Sequence, residues 1–154
     1  DPNARFNETD PKMMSFNYAE QAPSSKLFRD MTKNVFEALA EKPMAGHFHK
    51  FGVSMKMYEL SKDFQDLFVV LTTNHDARDM EFISTMEGRH YPFYALQWHP
   101  EKVHFIDKLV AAKDLKQPVE AFAMNKYMSH FLLQEACKNN NSFLSETEKA
   151  KVFV

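Results

Sequence analysis

Apolar positions fall into three patterns along the 154 residues. Phe28, Met31, Val35 and Leu39 recur at helical spacing behind Ser24-Ser25, which can cap a helix, and Pro43 ends the run. Residues 47–55 alternate loosely, as a strand or extended loop does, and Ser61 opens a short segment of one or two helical turns. Leu67 to Thr73 is a continuous apolar and β-branched run, the mark of a strand covered on both faces. Asn74-His75-Asp76 turns the chain. Met80 to Met86 reads as a second strand and Phe93 to Trp98 as a third, stopped by Pro100, which cannot donate to a ladder. Pro118 suits the first turn of a last helix whose stripe is Met124, Met128, Phe131 and Leu132, widened by Phe122 and Tyr127.

Two helices flanking a small group of strands indicate an α/β layer structure. Residues 1–23, with Pro2, Pro11 and Pro23 and little periodicity, read as an extended, poorly structured lead. Residues 24–154 read as part of a single domain. So few strands and helices look like half of something larger, and a chain opening on Asp1 reads as a processed product or a fragment.

Composition narrows the chemistry. With 44% hydrophobic and 14% aromatic residues the chain can build a core. No apolar run is long enough to span a membrane. A net charge of −2 argues against a nucleic-acid partner living on phosphate contacts. Protonating all seven histidines would carry the charge from −2 to +5, a change that falls on the way to an acidic compartment. Three glycines, none clustered, exclude a phosphate-cradling loop or dinucleotide fingerprint. The single cysteine excludes an intrachain disulfide and a Cys-based zinc site.

The densest chemical cluster is Gln97-Trp98-His99-Pro100-Glu101-Lys102, directly after a predicted strand, where open α/β sheets build their sites. His99 can relay a proton, and Glu101, two residues on, can fix its tautomer and stabilise the imidazolium. A structural strand end with a solvated Glu-Lys pair is the alternative. Such a pair still needs a nucleophile. Cys137 lies near the end of a predicted helix, without the strand–turn–helix setting of a nucleophile elbow, and reads as structural or surface. His47 and His49 alternate across Phe48 and would share one face of a strand. With no third ligand nearby they read as polar lining of a cleft, not a metal site. His75, His90, His104 and His130 are isolated. Asn7-Glu8-Thr9 and Asn140-Asn141-Ser142 are glycosylation sequons on Asn7 and Asn140.

Longer strings add a resemblance. Residues 68–74 (Phe-Val-Val-Leu-Thr-Thr-Asn), 81–88 (Glu-Phe-Ile-Ser-Thr-Met-Glu-Gly) and 91–102 (Tyr-Pro-Phe-Tyr-Ala-Leu-Gln-Trp-His-Pro-Glu-Lys) resemble the C-terminal half of the gamma-glutamyl hydrolase (folylpolyglutamate hydrolase) family. Residues 45–50 and 135–140 fit the same family. The Trp-His-Pro-Glu unit alone is shared with the wider class I glutamine amidotransferase-like group. The resemblance implies a flavodoxin-like three-layer α/β sandwich with a Cys-His-Glu arrangement. It also implies removal of γ-linked glutamates from folate polyglutamates, in lysosomes or after secretion, with no cofactor and no metal.

By that resemblance His99 is the catalytic histidine and Glu101 its carboxylate. His49 and Trp98 border the substrate, and Lys102 faces the glutamate tail. The nucleophilic Cys belongs to an N-terminal half absent from this chain, which is therefore an implied partner, alongside a homodimer. The chain departs from the family pattern at Phe51, at Ala95 and at Val103-His104-Phe105-Ile106, positions that bear on specificity. Two other readings remain: a non-catalytic homologue acting as a structural or binding component, and an amidotransferase domain feeding ammonia to a synthase.

Overall fold

A computed structural model of the chain describes residues 3–5, 12–105 and 117–152. The strands are β1 (Asn3–Arg5), β2 (Lys12–Met14), β3 (Asn17–Tyr18), β4 (Ala45–His47), β5 (Phe51–Val53), β6 (Phe68–His75), β7 (Glu81–Gly88) and β8 (Tyr94–Leu96). The helices are α1 (Lys33–Glu41), α2 (Met55–Leu60), α3 (Lys62–Leu67), α4 (Val119–Ala136) and α5 (Glu146–Val152), with a 3-10 helix over Pro100–Phe105.

The main sheet runs β3-β6-β7-β8, and every neighbouring pair is antiparallel. Short connections dictate this for β6-β7 and β7-β8, since parallel neighbours need a crossover of a dozen residues or more. The β6–β7 turn is tied by Asp76, whose Oδ1 accepts the N–H groups of Arg78 and Met80 while the Arg78 guanidinium holds Oδ2. Asp79 takes the left-handed conformation there (φ 62°), which Asp tolerates. Between β7 and β8 the chain passes so close to itself that a Cβ on Gly88 would lie 2.5 Å from the Tyr91 carbonyl oxygen.

The expected double cover of the first long strand is present: Val70 to Asn74 are all buried. On one side lies the main core, in which Phe16, Leu27, Phe28, Met31, Val35, Leu39, Leu71, Trp98, Met124 and Met128 pack with α1 and α4. Leu39 and Leu71 are wholly buried, each worth roughly 1.5–3 kcal/mol of transfer free energy. A smaller cluster centres on Phe82, with Met14 and Met80 against it. The two-stranded pair β2-β4 and the pair β1-β5 complete the strand framework.

Two expectations need correction. Residues 12–23 are not a loose lead: β2 pairs with β4, β3 adds to the main sheet, Phe16 is in the core, and residues 22–24 form a 3-10 turn. The first helix begins at Lys33, not behind Ser25. The Ser25 hydroxyl does accept the Phe28 N–H, but it caps only a turn. The N–H groups of Lys26 and Leu27 go instead to the buried carboxylate of Glu87 on β7. The predicted buried face survives that shift, since Phe28, Met31, Val35 and Leu39 are all in the core. On α4, Met124 and Met128 are buried as expected, whereas Leu132 is exposed.

Candidate active site

The segment after β8 is held from three directions. Trp98 is 3% exposed, meets Phe16 edge-on at 5.1 Å, and donates its indole N–H to Thr85 Oγ1 at 3.0 Å. The next residue, His99, donates its backbone N–H to the Gly46 carbonyl on β4 at 2.9 Å. Pro100 then starts the 3-10 helix, and its carbonyl accepts Asn125 Nδ2 of α4 at 2.9 Å. A buried anchor followed by a proline-started turn brings His99 to the end of the sheet with its side chain about one-third exposed.

His99 Nδ1 lies 2.7 Å from Glu101 Oε1. A carboxylate accepts, so Nδ1 carries the proton and Nε2 is the nitrogen that can take or return another. Partial burial pushes the Glu101 carboxyl pKa up, but the hydrogen bond from His99, its own backbone N–H, and the charges of His99 and Lys102 outweigh that and hold it below the ordinary carboxylate range. This is the geometry of an imidazole general base with an orienting carboxylate.

The loop after β4 supplies the wall. Phe48 meets His99 edge-on at 5.6 Å, and Lys102 Nζ sits 4.1 Å over the Phe48 ring, a cation–π contact. His49 Nδ1 is 3.0 Å from the Phe51 carbonyl, so Nδ1 is the donor and Nε2 accepts. His47 Nδ1 approaches that Nε2 at 2.9 Å and must carry the proton. Both rings rest edge-on against Phe82, at 5.6 and 5.7 Å. Burial, then the charges of His49 and His99, push the His47 pKa down to about 3. Burial and the charge of His99 also lower His49, against the opposing pull of the Phe51 carbonyl. The histidine pair is thus held neutral beside His99.

The structure therefore brings His99, Glu101, His49 and Lys102 to one end of the sheet. Trp98, expected at the substrate, is instead packed in the core beneath it, where it anchors the His99 turn. Cys137 is exposed at the C-terminal cap of α4, with its N–H on the Leu133 carbonyl. Asn140 is exposed, and Asn7 lies outside the described residues. Among the described residues no group of three or more His, Cys, Asp or Glu side chains could hold a metal ion. No helix there is long and apolar enough to cross a membrane. The sequence alone does not mark the contributions of Phe48, Asn125 and Thr85, whose partners lie far along the chain. Asn125 did leave a trace, as a polar residue between Met124 and Met128.

No family model matches the chain. Among characterised proteins it is 36% identical over 141 residues to gamma-glutamyl hydrolase from Homo sapiens, covering 92% of this chain and 43% of that protein. It is 32% identical over 141 residues to the gamma-glutamyl hydrolase of Rattus norvegicus, covering 92% of this chain and 44% of that one. It is 34% identical over 130 residues to gamma-glutamyl hydrolase B of Dictyostelium discoideum, covering 84% and 37%. The chain thus spans less than half the length of these relatives. Over nearly all of its own length it is similar to gamma-glutamyl hydrolases, matching their C-terminal part.

Proposed function

We propose that this chain supplies the acid–base half of a cysteine-type hydrolase that cleaves γ-glutamyl bonds of folate polyglutamates. The observation that carries the reading is the 2.7 Å contact between His99 Nδ1 and Glu101 Oε1, within a segment similar to gamma-glutamyl hydrolases. A cysteine thiolate from a segment outside this chain, within a glutamine amidotransferase-like sandwich, attacks the γ-amide carbonyl. His99 Nε2, which has taken the thiol proton, gives it to the departing amine as the C–N bond breaks, and a thioester remains. Water then attacks the thioester, His99 takes its proton, and the thiol leaves with the γ-carboxylate released. Backbone N–H groups at the nucleophile's turn hold the oxyanion. Glu101 keeps the imidazole oriented and stabilises its cation.

Lys102, beside Phe48 and one residue from Glu101, offers its ammonium to the anionic glutamate tail. The low-pKa pair His47–His49 lines the cleft as neutral polar surface. A lysosomal or secreted glycoprotein, working as a homodimer, fits the same reading, with a glycan on exposed Asn140 and another on Asn7. The test is His99→Asn in the complete enzyme, with γ-glutamyl release from a folate polyglutamate as the assay. Turnover should fall by at least ~10²-fold, the scale of acid–base catalysis. Unchanged turnover would sink the assignment and favour a non-catalytic homologue.

A further inference from the structure

On α4 the face that meets the core reads Ala121, Met124, Asn125, Met128, with the three apolar members buried and Asn125 half-buried among them. A polar side chain on such a stripe needs a partner. Its Nδ2 donates to the Pro100 carbonyl at 2.9 Å, and its Oδ1 lies 3.3 Å from His104 Nε2. The opposite amide orientation would set Oδ1 against the carbonyl oxygen, two acceptors facing each other, so the arrangement is fixed.

The Pro100 carbonyl belongs to the peptide that leads into Glu101, and the His99 N–H to the peptide that leads into His99. The first is held by Asn125 and the second by the Gly46 carbonyl at 2.9 Å. Together they bracket the backbone that sets the spacing between imidazole and carboxylate. Glu101 itself is largely exposed, and its carboxylate is held by His99 and by its own backbone N–H, so its position follows that of the turn's backbone. We propose that Asn125 is a positioning residue for the His99–Glu101 pair, acting through the Pro100 carbonyl from a helix that otherwise serves the core. Without it, the turn keeps its Gly46 tether and the Lys102 N–H bond to the His99 carbonyl, but the peptide between Pro100 and Glu101 loses its hold and the 2.7 Å contact loosens.

This inference rests on the acid–base reading of His99 and Glu101, and its test separates the two. Asn125→Leu keeps the branched shape of the side chain and removes the donor. Asn125→Gln keeps a donor on a longer arm. Both are made in the complete enzyme carrying ¹³C-carboxyl glutamate, with the Glu101 signal assigned by its loss in Glu101→Gln. The folded Leu variant should lose on the order of 10-fold in kcat at nearly unchanged KM. Its Glu101 titration should move up toward the ordinary carboxylate range, and Asn125→Gln should restore most of both. If the Leu variant does not fold, Asn125→Ala is read by the same two measurements. An unmoved Glu101 titration in a folded variant lacking the donor overturns the inference, as does equal damage from Leu and Gln, which would mark a packing role. If His99→Asn leaves turnover intact, the acid–base reading fails on its own, and the Glu101 titration still decides whether Asn125 sets that geometry.

Discussion

Acid should loosen this protein through His47. The residue is 2% exposed, with His49 Nε2 at 2.9 Å, the Phe82 ring at 5.6 Å, His99 nearby and Lys12 opposite it in the β2–β4 register. Burial, with the charges of His49 and His99 adding to it, lowers its pKa from 6.5 to about 3. In the unfolded chain the imidazole returns to 6.5. Between those values the unfolded state holds a proton that the folded state refuses. Stability therefore rises with pH across this window and is lost as pH falls below 6.5. At about 1.4 kcal/mol per pKa unit, the loss comes to about 3 kcal/mol near pH 4.5 and about 5 kcal/mol once both states are protonated. His47→Asn keeps an N–H donor toward His49 and removes the titration. Urea unfolding of both proteins between about pH 4.5 and 7.5 measures the difference. The native protein should lose about 3 kcal/mol more than His47→Asn over that range. Parallel stability profiles would refute the claim that a neutral His47 is being held against protonation.

Two further substitutions separate roles within the site. Glu101→Gln should cost less turnover than His99→Asn, because the amide oxygen still accepts the Nδ1 proton while the charge that stabilises the imidazolium is lost; the ratio of the two kcat values is the readout. Cys137→Ser should leave activity unchanged, because the thiol is exposed at the C-terminal end of α4, outside any strand–turn–helix elbow. Mapping the label after reaction with a γ-glutamyl-directed electrophile checks this, and inactivation with label on Cys137 would contradict it.

What the sequence reveals depends on whether the partner of each group is near in the chain. The long strands β6 and β7 announce themselves, since Leu67 to Thr73 is unbroken and Asp76 closes the hairpin locally. The buried face of α1 and the start of α4 behind Pro118 are legible for the same reason. The His99–Glu101 contact needs only two residues of separation and a proline between them, and it was legible too. β2 and β3, three and two residues long, carry no periodicity, and their partners lie tens of residues away. Trp98 reads as a site residue by adjacency to His99, but its indole finds Thr85 across the sheet, which only the β7–β8 register reveals. Asn125 is similar: its partner, Pro100, is 25 residues back.

The Glu87 carboxylate joins Lys26 and Leu27 to a strand about sixty residues further on. That separation predicts an order of assembly. The amides of residues 26 and 27 have no helical partner of their own, so they remain with water until β7 is in place and Glu87 comes within reach. The loop they close is long, and its entropy is recovered only after the β6–β7 hairpin exists. The segment that delivers Leu27 and Phe28 to the core is therefore expected to arrive late, fastened by a side chain already fixed in the sheet. Conversely, any fluctuation that frees Glu87 returns these two amide protons to solvent. Their rate of exchange with deuterium then serves as a remote gauge of the hairpin's integrity.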